Sequence, residues 1–127
     1  MKKNGILNGA LNAATSKLGH GDLVVVADCG LPIPLDTLTV DLALVFGVPS
    51  FTEVLDALRE EVFFEGCTAA LEAGTSVSGR WISERFPAAD YIPHEALKNL
   101  ITSAKVVVRS GEATPFANVV LRCGVPF

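Results

Sequence analysis

The apolar run Leu23–Ala27 constrains the fold most strongly, within the segment LGHGDLVVVADCGLPIP that spans residues 18–34. A short apolar run without polar alternation is typical of a strand that is covered on both faces in an α/β layer structure. Pro32 and Pro34 follow the run and prevent the sheet ladder from continuing. The sequence therefore predicts a central strand here, and the run is far too short to cross a membrane.

A histidine and a carboxylate, His20 and Asp28, lie at opposite ends of this predicted strand. A straight strand from Asp22 to Asp28 spans roughly 20 Å, so both side chains cannot lie at the same end. Either the two residues belong to different subsites, or a loop or a symmetry-related copy of the chain brings a second copy of one residue near the other. Ligands in open α/β sheets bind outside the carboxyl ends of strands, which makes Asp28 the better candidate for direct ligand contact.

Composition limits the partners that such a chain can have. The 127 residues fit one domain, and 50% of them are hydrophobic, with a mean hydropathy of +0.43. This is high for a small soluble monomer, so we expect a homo-oligomer that hides the surplus apolar surface. The net charge of −4 and the pI near 5.0 argue against nucleic acid or an anionic membrane as the main partner.

The cysteines and the first residues indicate a reducing cytoplasm. Cys29, Cys67 and Cys123 are odd in number and widely spaced, which favours buried thiols over a disulfide framework or a zinc site. Residues 1–5 lack the apolar core of a signal peptide. The strong nucleotide, phosphate, hydrolase and metal motifs are also missing, so we expect chemistry that needs few groups, no cofactor and no metal.

Alternating helices and strands predict a single α/β domain with three α/β/α layers and a mostly parallel, mixed sheet. Asn8 can cap a helix that reaches Leu18 and is ended by Gly19 in the left-handed conformation. Ser50 and Glu53 form a capping box for a second helix. Further helices are expected around 81–86 and, after Pro93 at the first helical position, over 94–104. Residues 38–42 alternate as a short strand with one solvent-facing side or as an edge strand, and further strands are expected over 62–71, 106–108 and 119–121. Loops are expected over 74–79 and 110–115.

Each candidate polar residue has a structural alternative. His20 lies between two glycines that allow close approach of a ligand, but it could simply tie a helix end to the backbone. Asp28 could cap the turn that follows it. His94 and Lys98 share a helix face that suits a polyol or is merely solvated. The polar loop 109–118 is either functional or a surface connector in which Arg109 and Glu112 are paired.

Three blocks of the sequence carry a resemblance to a known family. The first block is LGHGD with VADCGLPIP, the second is DLALVFGVPSF, and the third is VRSGEATPFANVVLRCGVPF. Together they resemble the D-ribose pyranase family, which is related to the L-fucose mutarotases. The resemblance covers nearly the whole chain in order, although about 71–91 looks shorter and different. It implies a cofactor-free enzyme that interconverts the pyranose and furanose forms of free D-ribose. It also implies a cytoplasmic ring-shaped assembly, a decamer, with active sites between neighbouring subunits.

The resemblance also implies a role for each candidate residue. His20 becomes the general acid/base and Asp28 a partner of the substrate or of the histidine. The expected sugar contacts are His94, Lys98 and the triplet Phe116, Ala117 and Asn118. A tyrosine is usual in the family where this chain has Phe116, so either water replaces its hydroxyl or the preferred sugar differs. The alternatives are a mutarotase for another monosaccharide, such as L-fucose, and a sugar-binding protein without turnover.

Overall fold

The computed structural model describes residues 1–127, which form six strands and four α-helices. The strands are β1 (Leu23–Ala27), β2 (Thr39–Asp41), β3 (Phe64–Ala70), β4 (Asp90–Ile92), β5 (Val106–Arg109) and β6 (Val119–Cys123). The helices are α1 (Gly9–Thr15), α2 (Phe51–Glu61), α3 (Val77–Arg85) and α4 (His94–Ile101), with a 3₁₀ helix over Leu71–Thr75. None of these helices has the length and apolar character that spanning a membrane requires.

The sheet has the order β2-β5-β1-β6-β3-β4, with the predicted strand β1 near its centre. β1 pairs parallel with β5 and antiparallel with β6. The β2–β5 and β4–β3 pairs are parallel and the β3–β6 pair is antiparallel. The predicted mostly parallel, mixed sheet is therefore confirmed, and β2 is an edge strand, one of the two alternatives that its alternation allowed.

Helices cover both faces of the sheet. Val24 and Val26 of β1 point into a cluster that contains Leu11, Leu55 and Ile82 from α1, α2 and α3. Val25 and Ala27 point the other way, into a cluster with Leu97 and Ile101 of α4. All of the residues Val24–Ala27 are at most 1% exposed, as expected for a strand between two helical layers. The three-layer prediction is confirmed.

The prediction for the end of α1 is wrong, although the Asn8 cap is confirmed by the 2.9 Å bond from the Leu11 N–H to its side chain. The helix ends at Thr15, because the N–H groups of Lys17 and Leu18 donate to carbonyls only three residues back. Gly19 is not left-handed; the positive φ of 83° belongs to Gly21.

The predicted loop over 74–79 is also wrong, because the 3₁₀ helix and the start of α3 cover most of it. A Cβ on Gly79 would lie only 2.2 Å from the Ala73 carbonyl oxygen, so the small residue allows close packing here and does not mark a flexible loop. The short strand β4 was not expected. α4 ends at Ile101 and not near 104, and Pro93 is its N-cap residue.

Candidate active site

A cleft of about 380 Å³ lies beyond the carboxyl end of β1. The predicted site residues Asp28, His94 and Phe116 all line it. The other lining residues come from the turn after β1, from Phe46 in the β2–α2 loop, and from the loop after β5: Cys29, Gly30, Leu31, Pro32, Glu112, Ala113, Thr114 and Pro115. The geometry thus agrees with the expectation that ligands bind at the carboxyl ends of the strands.

Asp28 is fixed by a reciprocal pair of hydrogen bonds with Asn118. The Asp28 N–H donates to Asn118 Oδ1, and Asn118 Nδ2 donates to Asp28 Oδ2, both at 2.8 Å. Asn118 is 1% exposed and immediately precedes β6, which pairs with β1. The other carboxylate oxygen of Asp28 accepts from the Gly30 N–H at 3.0 Å, so the residue also caps its turn. The direction of the carboxylate is therefore set before any ligand arrives.

His94 and Phe116 also line the cleft and contact each other. Their rings meet edge to face, with centroids 5.3 Å apart and planes at 80°. Phe116 is the one non-glycine residue with a positive φ, at 63°, and such backbone strain is often found at ligand sites. His94 Nδ1 is buried and makes no hydrogen bond within the chain. A buried polar atom of this kind needs a partner, and a ligand hydroxyl in the cleft could provide it.

Glu112 is a buried carboxylate of the cleft that was not predicted, because an acidic residue in a Gly-containing turn usually indicates surface. It is 8% exposed and accepts hydrogen bonds from the N–H groups of Phe51 at 3.1 Å and Thr114 at 3.2 Å. Burial raises the pKa of Glu112, but hydrogen bonds from the Phe51 N–H and from the hydroxyl and N–H of Thr114 outweigh it and hold the pKa below its ordinary value. The carboxylate therefore ties the loop after β5 to the start of α2.

The alternative of a surface pair between Arg109 and Glu112 is wrong. Arg109 Nη1 lies 3.0 Å from Asp41 Oδ2, and its Nη2 donates to the Cys29 carbonyl at 2.8 Å. The arginine therefore fastens the turn after β1 to the edge strand β2. Cys29 is half-buried beside the cleft, whereas Cys67 and Cys123 are buried as expected.

The remaining predicted residues lie outside the cleft in a single chain. Lys98 forms an ion pair with Glu95 at 2.7 Å, and Ala117 is fully buried. His20 lies in the turn before β1, at the far end of the strand; its side chain is 62% exposed, and its Nε2 is 3.2 Å from Glu65 Oε2. The structure therefore brings Asp28, with Asn118 behind it, together with His94 and Phe116, and leaves His20 apart.

Exposed apolar side chains surround both ends of β1. Near the cleft they are Leu44, Val45, Phe46 and Val48, at 77%, 61%, 84% and 48% exposure. Near His20, the N–H of Gly124 donates to the Phe63 carbonyl, and Gly21 donates to the Cys123 carbonyl, so the chain end meets the His20 turn. Phe63, Val125 and Phe127 are exposed there. We call these sets the cleft patch and the His20 patch.

Known proteins match the chain over its full length. Residues 1–126 match the family model described as the RbsD / FucU transport protein family. The chain is 53% identical to a D-ribose pyranase from Streptomyces avermitilis and 48% identical to one from Cutibacterium acnes, with each chain covered completely. Among solved structures, Bacillus subtilis RbsD complexed with D-ribose superposes with a TM-score of 0.94 at 41% identity, again over all of both chains. The fucose mutarotase of Streptococcus pneumoniae, at a TM-score of 0.79 and 18% identity, shares the fold.

Proposed function

The chain belongs to the RbsD / FucU transport protein family, and we propose that it is a D-ribose pyranase, an isomerase that interconverts the pyranose and furanose forms of free D-ribose. Its relatives at about half identity carry that name, and the similar RbsD structure holds D-ribose. The observation that carries the proposal is the cleft itself, which is lined both by a carboxylate fixed within the chain and by a histidine whose buried Nδ1 lacks a hydrogen-bond partner. Residues 1–127 form one ribose pyranase-like domain in this proposal.

The reaction requires proton transfer and no redox step. To open the ring, one group gives a proton to the ring oxygen while another removes the proton of the anomeric hydroxyl. Reclosure on a different hydroxyl repeats the exchange. An imidazole, with an ordinary pKa of about 6.5, can serve as acid or base near neutral pH, and such a group contributes roughly 100- to 10,000-fold in rate. We assign this role to His20.

The cleft residues hold the sugar. The oriented carboxylate of Asp28 accepts hydrogen bonds from hydroxyls, and His94 Nδ1 makes a further one. Asn118 lies behind Asp28 and outside the cleft lining; it gives one amide proton to that carboxylate, and we assign its second amide proton to the substrate. Lys98 reaches the sugar only by exchanging its ion pair with Glu95, which costs little because Glu95 is exposed. Phe116 supplies an apolar ring face without the hydroxyl that is usual in the family.

Assembly completes the site in this proposal. β1 separates His20 from Asp28 by roughly 20 Å, so one sugar cannot touch both residues of the same chain. The cleft patch and the His20 patch lie at opposite ends of the strand, and contact between two different patches is heterologous, which generates rings when the rotation closes. We therefore propose a cytoplasmic ring-shaped oligomer, a decamer, in which His20 of one subunit enters the neighbour's cleft. Light scattering should then report a mass several times 13.4 kDa.

Saturation-transfer NMR on free D-ribose tests the activity. The protein should transfer saturation between pyranose and furanose signals faster than buffer alone, and His20→Ala should not. Broadening of the ribose signals without faster exchange would instead identify a sugar-binding protein. Because Phe116 replaces a tyrosine, the same measurement should be run on several pentoses and hexoses, including L-fucose. Faster exchange of another sugar than of ribose would indicate a mutarotase for that sugar.

A further inference from the structure

Glu72 caps helix α4 from a distant part of the chain. Both of its carboxylate oxygens accept from the His94 N–H, at 2.9 and 3.2 Å. The N-cap residue of α4 is Pro93, which has no side-chain acceptor. Glu72, in the 3₁₀ helix after β3, therefore supplies the acceptor that the local sequence lacks.

Sheet pairing places Glu72 beside α4. β3 runs parallel to β4, with Ala70 opposite Ile92, so the residues after both strands emerge at the same edge. The 3₁₀ helix continues from β3 as α4 continues from β4. The contact therefore follows from the register of these two strands.

The cap holds the residue that carries the unpartnered imidazole. His94 is the first residue of α4, and its Nδ1 is buried without a hydrogen bond. Glu72 does not line the cleft, and its hydrogen bond to the His94 N–H is its link to a residue that does. The neighbouring α3 supports the other ring of the pair, because Ser78 Oγ donates to the carbonyl of Pro115, directly before Phe116, at 3.2 Å. The segment from Leu71 to Arg85 thus makes hydrogen bonds to the backbone at His94 and directly before Phe116.

We propose that Glu72 is a positioning residue for sugar binding: by fixing the backbone of His94, it aims Nδ1 at a substrate hydroxyl. The proposal rests on the proposed function for the identity of the ligand. Because the proton-transfer residue His20 is not involved, the role affects binding more than turnover.

Kinetics of Glu72 variants separate positioning from simple capping. We expect Glu72→Ala to raise the KM for D-ribose about 5- to 10-fold, since one capping hydrogen bond is lost, with kcat within about twofold. Glu72→Gln keeps an oxygen acceptor and should restore most of the affinity. Glu72→Asp withdraws the acceptor by one methylene but keeps the charge, and should fall between the two. Glu84→Gln on α3, an exposed carboxylate without contact to His94, is the matched control.

Histidine NMR supplies a readout that does not depend on activity. The chain has two histidines, so isotope-labelled histidine gives two Hε1 signals. Glu72→Ala should shift or broaden the His94 signal and leave the His20 signal in place, and ribose should move the His94 signal less than in the unsubstituted protein. If KM, the His94 signal and its response to ribose are unchanged while only the melting temperature falls, Glu72 is a structural cap and the proposal is overturned. If the unsubstituted protein shows no ring exchange, the proposed function fails, and the ribose response of His94 still decides the role of Glu72.

Discussion

Each end of β1 has a histidine and a carboxylate, His20 with Glu65 at the amino end and His94 with Asp28 in the cleft at the carboxyl end. The two ends differ in exposure and in hydrogen bonding. At the carboxyl end, Asp28 takes part in three hydrogen bonds within its own chain, two of them with the buried Asn118. At the amino end, the His20 side chain is 62% exposed and meets only Glu65, itself 36% exposed. The chain itself therefore fixes the carboxyl end and leaves the amino-end pair exposed, which suits the proposal that assembly completes the site.

The two ends should also differ in what they contribute to stability. An exposed pair such as His20–Glu65 contributes about 0 to 1 kcal/mol at most. Removing one member of a buried pair leaves the other unsatisfied, which costs about 1 to 3 kcal/mol. Substitution of His20 should therefore change activity alone, whereas substitution of Asn118 should change activity and stability together.

His20→Ala should have the largest effect on activity. We expect ring exchange to fall at least about 100-fold, because the proposed general acid/base is removed, while the melting curve and the assembly mass stay unchanged. Saturation-transfer NMR beside thermal melting measures both. A joint loss of exchange and stability would mean that His20 is a structural turn residue.

Asn118→Ala should lower both stability and exchange. It leaves the Asp28 N–H and one carboxylate oxygen without their partner, so the free energy of unfolding should fall by about 1 to 3 kcal/mol. Glu65→Ala is the matched change at the other end and should leave stability nearly intact. Denaturant titration measures the free energy of unfolding of both variants. An equal loss of that free energy in the two variants would show that the two ends of β1 do not differ in their contribution to stability.

Glu112 should make the cleft end sensitive to acid. Its pKa is lowered in the folded chain, so its contribution to stability is present above the ordinary Glu pKa and is lost as the pH falls through the lower folded value. Glu112→Gln should therefore reduce the loss of stability on acidification. Melting temperatures of both proteins measured from pH 7 down to pH 3 test this. If the melting temperature of the variant falls with pH as steeply as that of the unsubstituted protein, other carboxylates, such as Asp56 paired with Arg85, dominate the acid response.

Phe116→Tyr should have the smallest effect. Phe116 lines the cleft, so the added hydroxyl should meet sugar or water, and sugar affinity should change more than the melting temperature. Ribose titration and melting are the measurements. A markedly lower melting temperature with unchanged affinity would show that the new hydroxyl is buried without a partner, which costs about 1 to 3 kcal/mol. Phe116 would then be a core residue and not one of the proposed sugar contacts.

Local patterns predicted the fold better than they predicted the site. The apolar run of β1 and the Ser50–Glu53 capping box depend on neighbouring residues, and both are confirmed. The 74–79 segment was misassigned because Gly79 serves close packing against Ala73, which only the tertiary structure reveals. Glu72 and Glu112 were missed for a similar reason. Their carboxylates accept hydrogen bonds from the N–H groups of His94 and Phe51, which lie 22 and 61 positions away in the chain.

Subunit mixing tests the central claim, that the two ends of β1 act in one site only across a subunit boundary. His20→Ala and Asp28→Asn proteins should each be inactive alone. After they are dissociated together and reassembled, random neighbours would join an intact His20 to an intact Asp28 in about a quarter of the sites of a ring. We predict that saturation-transfer NMR then recovers exchange near that fraction of the unsubstituted rate. Mixed assemblies, verified by mass spectrometry, that recover no exchange would contradict the account and place both residues in separate or single-chain sites.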